Sequence, residues 1–408
     1  MKERPFPQVI ITKKGTRWVE DGHPWVYDGE VIETSSEIPD GAVADVVTEG
    51  NKYLGSGFYN SKSRIRVRIL SRNANDRFDD AFFARRIKYA LDYRRTVMGE
   101  DFSACRLIFG EADGFPGLTV DRFRNLLSAE VLSKGIEDRK DFIFRELVRQ
   151  LREGGAVIDG LYERNESGIR ALEGLKAYKG WYRFDDEPLP ASPVTEITEN
   201  GILYSVDVEN GQKTGFFLDQ KYNREAVGRI AKGLRVLDCF THTGSFALNA
   251  AKHGAKHVTA VDVSETAVEM AKKNAERNGL ADRMDFLAAD VFDLLPALQK
   301  EGGHPYDLII LDPPAFTKSR KTADNAEKGY KEINYRAMKL LPRGGYLATA
   351  SCSHFMPNER FEKMLRAAAR DAGVELKEIE VRKQAPDHPV LWNVPETEYL
   401  KFYLFQVI

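Results

Sequence analysis

Hydrophobic and polar positions follow three rhythms along this chain, and each change of rhythm marks a new part. Over Ser63–Leu70 the two classes alternate strictly, the period of a half-buried strand, so Arg64, Arg66 and Arg68 share one face and Ile65, Val67 and Ile69 the other. From Asp79 to about Met98 the apolar residues Phe82, Phe83, Ile87, Ala90 and Leu91 recur at helical spacing. From Arg235 onward, short apolar runs at Arg235–Cys239, Val258–Val261, Met284–Ala288, Leu308–Leu311 and Tyr346–Ser351 alternate with helical patterns, which predicts a parallel sheet with helices on both faces.

Turn chemistry fills in the connections. Leu107–Asp121 reads as strand, Gly/Pro-rich turn and strand, and Thr195–Val208 as a hairpin closed by Asn200-Gly201. Three parts result: 1–72, short strands and turns; 73–190, a small α+β connecting domain; and 191–408, a doubly wound α/β domain.

Composition narrows the class. A chain of 408 residues with 42% hydrophobic and 30% charged residues has length for two or three domains with real cores. No apolar run reaches the length of a membrane span, and Met1–Pro7 lacks the apolar segment of a signal peptide. The three cysteines at 105, 239 and 352 are too dispersed for a disulfide framework or a zinc site, so the expected setting is a reducing cytoplasm and no metal is expected. His242 has no second ligand at metal spacing, and Cys105 and Cys239 follow apolar runs as packed thiols do. A net charge of −2 leaves nucleic-acid binding to local basic patches. The Arg64/Arg66/Arg68 stripe is either the solvated face of a strand or a track for RNA phosphates, which Lys13, Lys14 and Arg17 would extend.

Candidate chemistry gathers at the strand ends of the third part. The first strand runs through Asp238 into Thr241, Thr243 and Gly244 without the three glycines that a pyrophosphate needs. The second ends in Asp262-Val263, 24 residues after Asp238, where an acid binds ribose hydroxyls; Asp290-Val291 follows the third, placed for an adenine. Adenine and ribose without a pyrophosphate point to S-adenosylmethionine. The fourth strand ends in Asp312-Pro313-Pro314-Ala315-Phe316 and the fifth in Ser351-Cys352-Ser353. A thiolate at Cys352 that adds to C6 of a pyrimidine would make C5 nucleophilic. Asp312 would bind the N3/N4 edge of a cytosine, Pro313 and Pro314 would fix the turn, and Phe316 would stack on the extruded base.

With these motifs laid out, the chain resembles the PUA-domain family of ribosomal RNA cytosine-C5 methyltransferases over nearly its whole length. The resemblance is carried by Gly22–Val31, Gly110–Arg122, Gln212–Gln220, Asp312–Phe316, Gly329–Asn334 and Ser351–Ser353. It implies a multidomain α/β protein: an N-terminal PUA-like β-barrel, a central α+β domain and a C-terminal Rossmann-like class I methyltransferase domain. It implies 5-methylcytosine formation in 23S ribosomal RNA with S-adenosylmethionine as cofactor and Cys352 as nucleophile. Phe216, Asp219 and Gln220 would cover the cofactor's methionine end, and Gln220, Asp262, Asp290 and Asp312 would meet cofactor or base.

One departure concerns product release. Many relatives outside this family carry a second cysteine where Ala315 stands, so elimination here needs another base or water. Two other readings stay open: a methyltransferase of the same architecture acting on guanine or an exocyclic amine, and a non-catalytic cofactor-binding assembly factor. Strand edges in the N-terminal barrel or the 195–208 hairpin offer a route to a homodimer.

Overall fold

The structure is a computed structural model that describes residues 4–185, 187–317 and 320–408; Met1–Glu3, at the head of the N-terminal segment read above, fall outside it. Contacts divide the chain into two units. The first comprises Met1–Ile197, Ser205–Leu218 and Pro386–Thr397, and the second Thr198–Tyr204, Asp219–Ala385 and Glu398–Ile408. The expected N-terminal and central parts thus both lie in the first unit, which also takes three segments of the expected third part: 191–197, 205–218 and 386–397.

The first unit holds two sheets. A six-stranded sheet runs in the order Trp25–Tyr27, Ile65–Ser71, Tyr53–Tyr59, Val43–Thr48, Gln8–Ile11 and Val31–Thr34. Its inner face packs Val9, Ile11, Val26, Val46, Val67 and Ile69 around Val19. Val19 comes from a helix, Lys13–Glu20, that the sequence reading of strands and turns did not anticipate. Thr12 caps that helix by accepting from Gly15 N at 3.2 Å. A second sheet of five strands contains the expected hairpin as Ala104–Phe109 paired antiparallel with Leu118–Phe123. The expected helix is Asp80–Met98, begun by the carboxylate of Asp79 on Phe82 N and ended by Gly99 at φ +54°.

The second unit is a seven-stranded sheet. Its strands are β1 (Arg235–Cys239), β2 (His257–Asp262), β3 (Met284–Ala288), β4 (Leu308–Leu311), β5 (Tyr346–Ser351), β6 (Leu376–Arg382) and β7 (Lys401–Val407), ordered β3-β2-β1-β4-β5-β7-β6. The five predicted strands are parallel. The last two are antiparallel additions, β7 to β5 and β6 to β7, that the alternation did not reveal. Near-continuous apolar burial marks β4 and β5, as expected for strands covered on both faces.

Helix α1 (Lys221–Ile230) precedes β1, and α2 (Ser245–Lys252) and α3 (Glu265–Arg277) follow β1 and β2. By the right-handed crossover rule the reversal of strand order sets α2 and α3 on one face and the helices after β4 and β5 on the other. On the second face α4 (Val291–Glu301), α5 (Ala323–Leu340) and α6 (Asn358–Ala372) pack with Leu237, Ile309, Leu311 and Leu347 into one core. The strand order reverses between β1 and β4, which opens a crevice at the carboxyl ends of those strands. The 195–208 hairpin forms as Val194–Glu199 and Ile202–Asp207, with Asn200 and Gly201 at φ +52° and +69° as its tight turn demands. Among the described residues, no helix is long and apolar enough to cross a membrane.

Candidate functional site

Five strand ends stand side by side in the second unit. Asp290 lies just beyond β3, Asp262 ends β2, Asp238 lies near the end of β1, Asp312 follows β4 and Cys352 follows β5. Neighbouring strands are in register, so this order along the sheet is fixed by backbone pairing rather than by side-chain choice.

The loop after β1 is strained. Phe240 and His242 hold φ values of +64° and +51°, a conformation that costs a non-glycine residue about 1–3 kcal/mol. Gly244, at φ +86°, begins the next helix, and a Cβ there would approach Ala271 Cβ to 3.0 Å. The loop is tied down at both ends. Thr241 Oγ1 and Ala247 N donate to Asp238 Oδ2 at 2.6 and 3.0 Å, and His242 N donates to Asp262 Oδ2 at 2.9 Å.

Asp238 is fully buried, and burial pushes its carboxyl up to about 7, with Asp312 and Asp262 adding repulsion. Its Oδ1, like Thr243 Oγ1, is buried and meets no hydrogen-bond partner among the described residues. Orphaned acceptors at a switch point fit a ligand that brings a cationic group, as the amino group of S-adenosylmethionine would. Asp262 is half-buried with Val263 exposed beside it. Asp290 is exposed, accepts from Phe292 N at 2.8 Å and caps α4, whose first residue Val291 is buried.

The acid after β4 is held from the side. Gln220 Nε2 donates to Asp312 Oδ1 at 2.9 Å, and Gln220 Oε1 accepts from Asn223 Nδ2 at 2.6 Å, which fixes the amide's orientation. Asp219, next to Gln220 and also buried, accepts from the Tyr399 hydroxyl at 2.6 Å. Phe216 is buried in the first unit. Pro313 is buried beside Asp312. The ring of half-buried Phe316 packs on Tyr330, Phe292 and Phe240 with centroids 4.6, 5.7 and 6.4 Å away.

The three thiols differ. Cys105 and Cys239 are fully buried, and burial pushes both well above the ordinary thiol value. Cys352 alone is partly exposed. The turn that presents it is closed by Ser353 N donating to Ser351 Oγ at 3.4 Å and by Phe355 N donating to Ser353 Oγ at 3.3 Å. Tyr330 lies against this turn with its phenol pushed up to about 12 by burial. Burial lowers the pKa of His242. No group of three His, Cys, Asp or Glu side chains placed to hold a metal ion occurs among the described residues.

The arginines of the first unit divide. Arg64 is exposed. Arg66 donates from Nη1 to Asn60 O at 3.0 Å. Arg68 is buried, its Nη2 2.9 Å from Glu173 Oε1 and its Nη1 3.2 Å from Glu111 Oε1. The alternation is real, but Arg68 is spent on an internal ion pair and does not belong to an exposed stripe.

Sequence reasoning missed Asn223 and Lys401 as parts of the site, and it held Tyr330 only within the motif Gly329–Asn334, with no role of its own. Lys401 left a trace as the one charge in the apolar run Leu400–Phe405.

Comparisons with known proteins bear on the family and the fold. A family described as S-adenosylmethionine-dependent methyltransferase matches residues 180–406, and a PUA-like domain matches 9–72. A protein of Klebsiella pneumoniae (strain 342), named ribosomal RNA large subunit methyltransferase I, is 37% identical over the full length of both chains. One of the same name from Shewanella frigidimarina is 41% identical over 94% of this chain and 95% of its own. A solved structure from Streptococcus mutans, described as an S-adenosylmethionine-dependent methyltransferase, shares the fold at 21% identity, with a TM-score of 0.80 over 98% of this chain and 99% of its own. The chain belongs to the family of PUA-domain-containing, S-adenosylmethionine-dependent methyltransferases that includes ribosomal RNA large subunit methyltransferase I.

Proposed function

We propose that this methyltransferase acts on large-subunit (23S) ribosomal RNA and forms 5-methylcytosine through a covalent bond between Cys352 Sγ and C6 of the base. The observation that carries the reading is the juxtaposition of one partly exposed thiol, at the end of β5, with Asp312 at the end of the adjacent β4, while both other thiols are sealed in cores. The names of the full-length relatives support the substrate.

A cytosine C5 is a poor nucleophile. Addition of the Cys352 thiolate across C5–C6 converts it into an enamine carbon, provided negative charge at N3 is stabilised. Asp312, oriented by Gln220, would hold the N3/N4 edge and, when protonated, donate to N3. The bound cofactor supplies an electrophilic methyl group on a sulfonium. Loss of the C5 proton to a base and breakage of the Sγ–C6 bond then restore the aromatic ring. Asp238, Thr241, Thr243 and Gly244 would receive the amino-acid end of the cofactor, Asp262 with Val263 the ribose, and Asp290 with Val291 the adenine. Asp219 and Gln220 would close over the methionine end. Pro313 and Phe316 would border the flipped base. Arg64 and Arg66, with Lys13, Lys14 and Arg17, would track phosphates, while the buried Arg68 would act only through the fold.

The test is a trap. In RNA carrying 5-fluorocytidine the C5 substituent cannot leave as a cation, so elimination stops and the adduct accumulates. The wild-type enzyme with cofactor should give a denaturant-resistant RNA complex through Cys352, and Cys352→Ala none. A complex of equal yield with the alanine variant would overturn the covalent reading.

A further inference from the structure

Lys401 opens β7, and in antiparallel register it lies opposite Ser351, the last residue of β5. Its side chain is buried, at 5% exposure, and its Nζ reaches past the strand end to donate to Ser353 O at 2.7 Å and to Tyr399 O at 2.8 Å. The lysine therefore brackets Cys352: its backbone stands across from the residue before the thiol, and its ammonium binds the residue after it.

Both acceptors are neutral carbonyls. Among the described residues no carboxylate forms an ion pair with Lys401, and Glu398, the acid that influences it, is paired with Lys383 at 2.5 Å. A buried ammonium with no anionic partner is costly, and burial lowers Lys401 to about 8. Cys352 acts in the opposite sense, its negative charge favouring the ammonium. The other ionisable groups around the turn are Tyr330, neutral until about 12, and Asp312, the acceptor of the Gln220 amide. His354, which follows Ser353, lies with its ring 6.0 Å from that of Tyr399.

We propose that Lys401 is a positioning residue for Cys352, clamping the Ser351–Ser353 turn and furnishing the positive charge beside which the thiol ionises. The S–H bond breaks, its proton passes to water or to the neutral amine fraction of Lys401, and a thiolate is left beside an ammonium. This rests on Cys352 being the nucleophile, which needs an activating cation or base.

The experiment follows alkylation of Cys352 by iodoacetamide against pH, mapped by peptide mass spectrometry, in wild type, Lys401→Met and Lys401→Arg. The sealed Cys105 and Cys239 report unfolding. In wild type the reaction should rise with an inflection below the ordinary thiol value of about 8.5. In Lys401→Met the inflection should move up by about one unit or more, making alkylation at pH 7 about tenfold slower. Lys401→Arg should restore most of the rate, because the charge returns. Equal inflections in wild type and Lys401→Met would overturn the proposal. If Lys401→Met labels Cys105 or Cys239, and so does not fold, the wild-type curve decides: an inflection at or above about 8.5 overturns the proposal, and one clearly below it supports the proposal. Methyl transfer by Cys352→Ala is a separate readout. Retained transfer would remove the nucleophile reading itself, whereas a dead alanine variant beside an ordinary thiol curve would remove only the role of Lys401.

Discussion

Two regions of this molecule carry chemistry that periodicity makes visible: the row of strand ends in the second unit and the arginine alternation of Arg64–Arg68 in the first. They came through differently. The strand ends stand in the order Asp290, Asp262, Asp238, Asp312, Cys352, because parallel pairing leaves a strand's last residue nowhere else to go. The arginines alternate as expected, yet Arg68 is buried against Glu173 and Glu111 while Arg64 remains exposed. Position along a sheet follows from the backbone; exposure depends on what another segment brings to the same face.

The largest test of that contrast is at Arg68. Removing one partner of a buried ion pair destabilises by about 3–5 kcal/mol, so Arg68→Ala should unfold the first unit at distinctly lower denaturant. Asn60 and Ser63 still donate to Glu173, which places the effect toward the lower end. Trp25 lies 6.0 Å from the Arg68 guanidinium, so tryptophan fluorescence can report the transition. A stable Arg68→Ala that instead loses RNA binding would erase the distinction drawn between Arg68 and Arg64.

Next in size is Asp262→Ala. Losing a charge-assisted hydrogen-bond acceptor removes about 1.5–3 kcal/mol, a roughly 10- to 150-fold weaker cofactor by calorimetry. Thermal stability should change less than cofactor affinity, since the residue is half-buried and its bonds are to loop backbone, at part-buried His242 N and exposed Ser264 N.

Asp238 sharpens the same row through pH. Its carboxyl sits at about 7 in the free protein, raised by burial, and a cationic ligand would lower it. The free protein must then shed a proton to bind. Cofactor affinity should be level above about pH 7 and fall as pH drops below it, by up to about tenfold per unit. A flat affinity between pH 8 and 6 would mean that Asp238 does not meet the cofactor's charge.

The smallest effect belongs to Arg64. Arg64→Gln should leave stability within about 0.5 kcal/mol and lower the salt slope of RNA binding by about one. An unchanged slope would take the exposed arginine out of the RNA interface.

Much of the second unit was legible because its signals are local. Asn200-Gly201 set the hairpin, and five apolar runs set five strands. The antiparallel β6 and β7 were not legible, because nothing in Leu376–Arg382 distinguishes an added edge strand from a surface segment. The helix Lys13–Glu20 was missed because only Gly15 and Val19 are buried in it, too few to write a helical period. At the site, acids and thiol were found by strand-end position. Asn223 and Lys401 were not, and Tyr330 stood only within the motif Gly329–Asn334, because each reaches the site through a hydrogen bond or a packing contact that sequence spacing does not encode.

The central claim is that the thiol ending β5 does covalent chemistry on cytosine. Labelled methyl should be transferred to large-subunit ribosomal RNA from cells lacking this gene, by wild type and Cys352→Ala in parallel, and the labelled nucleoside identified by mass spectrometry. Label in 5-methylcytidine with wild type, and none with the alanine variant, is the predicted result. Label in another nucleoside, or undiminished transfer by Cys352→Ala, would contradict it.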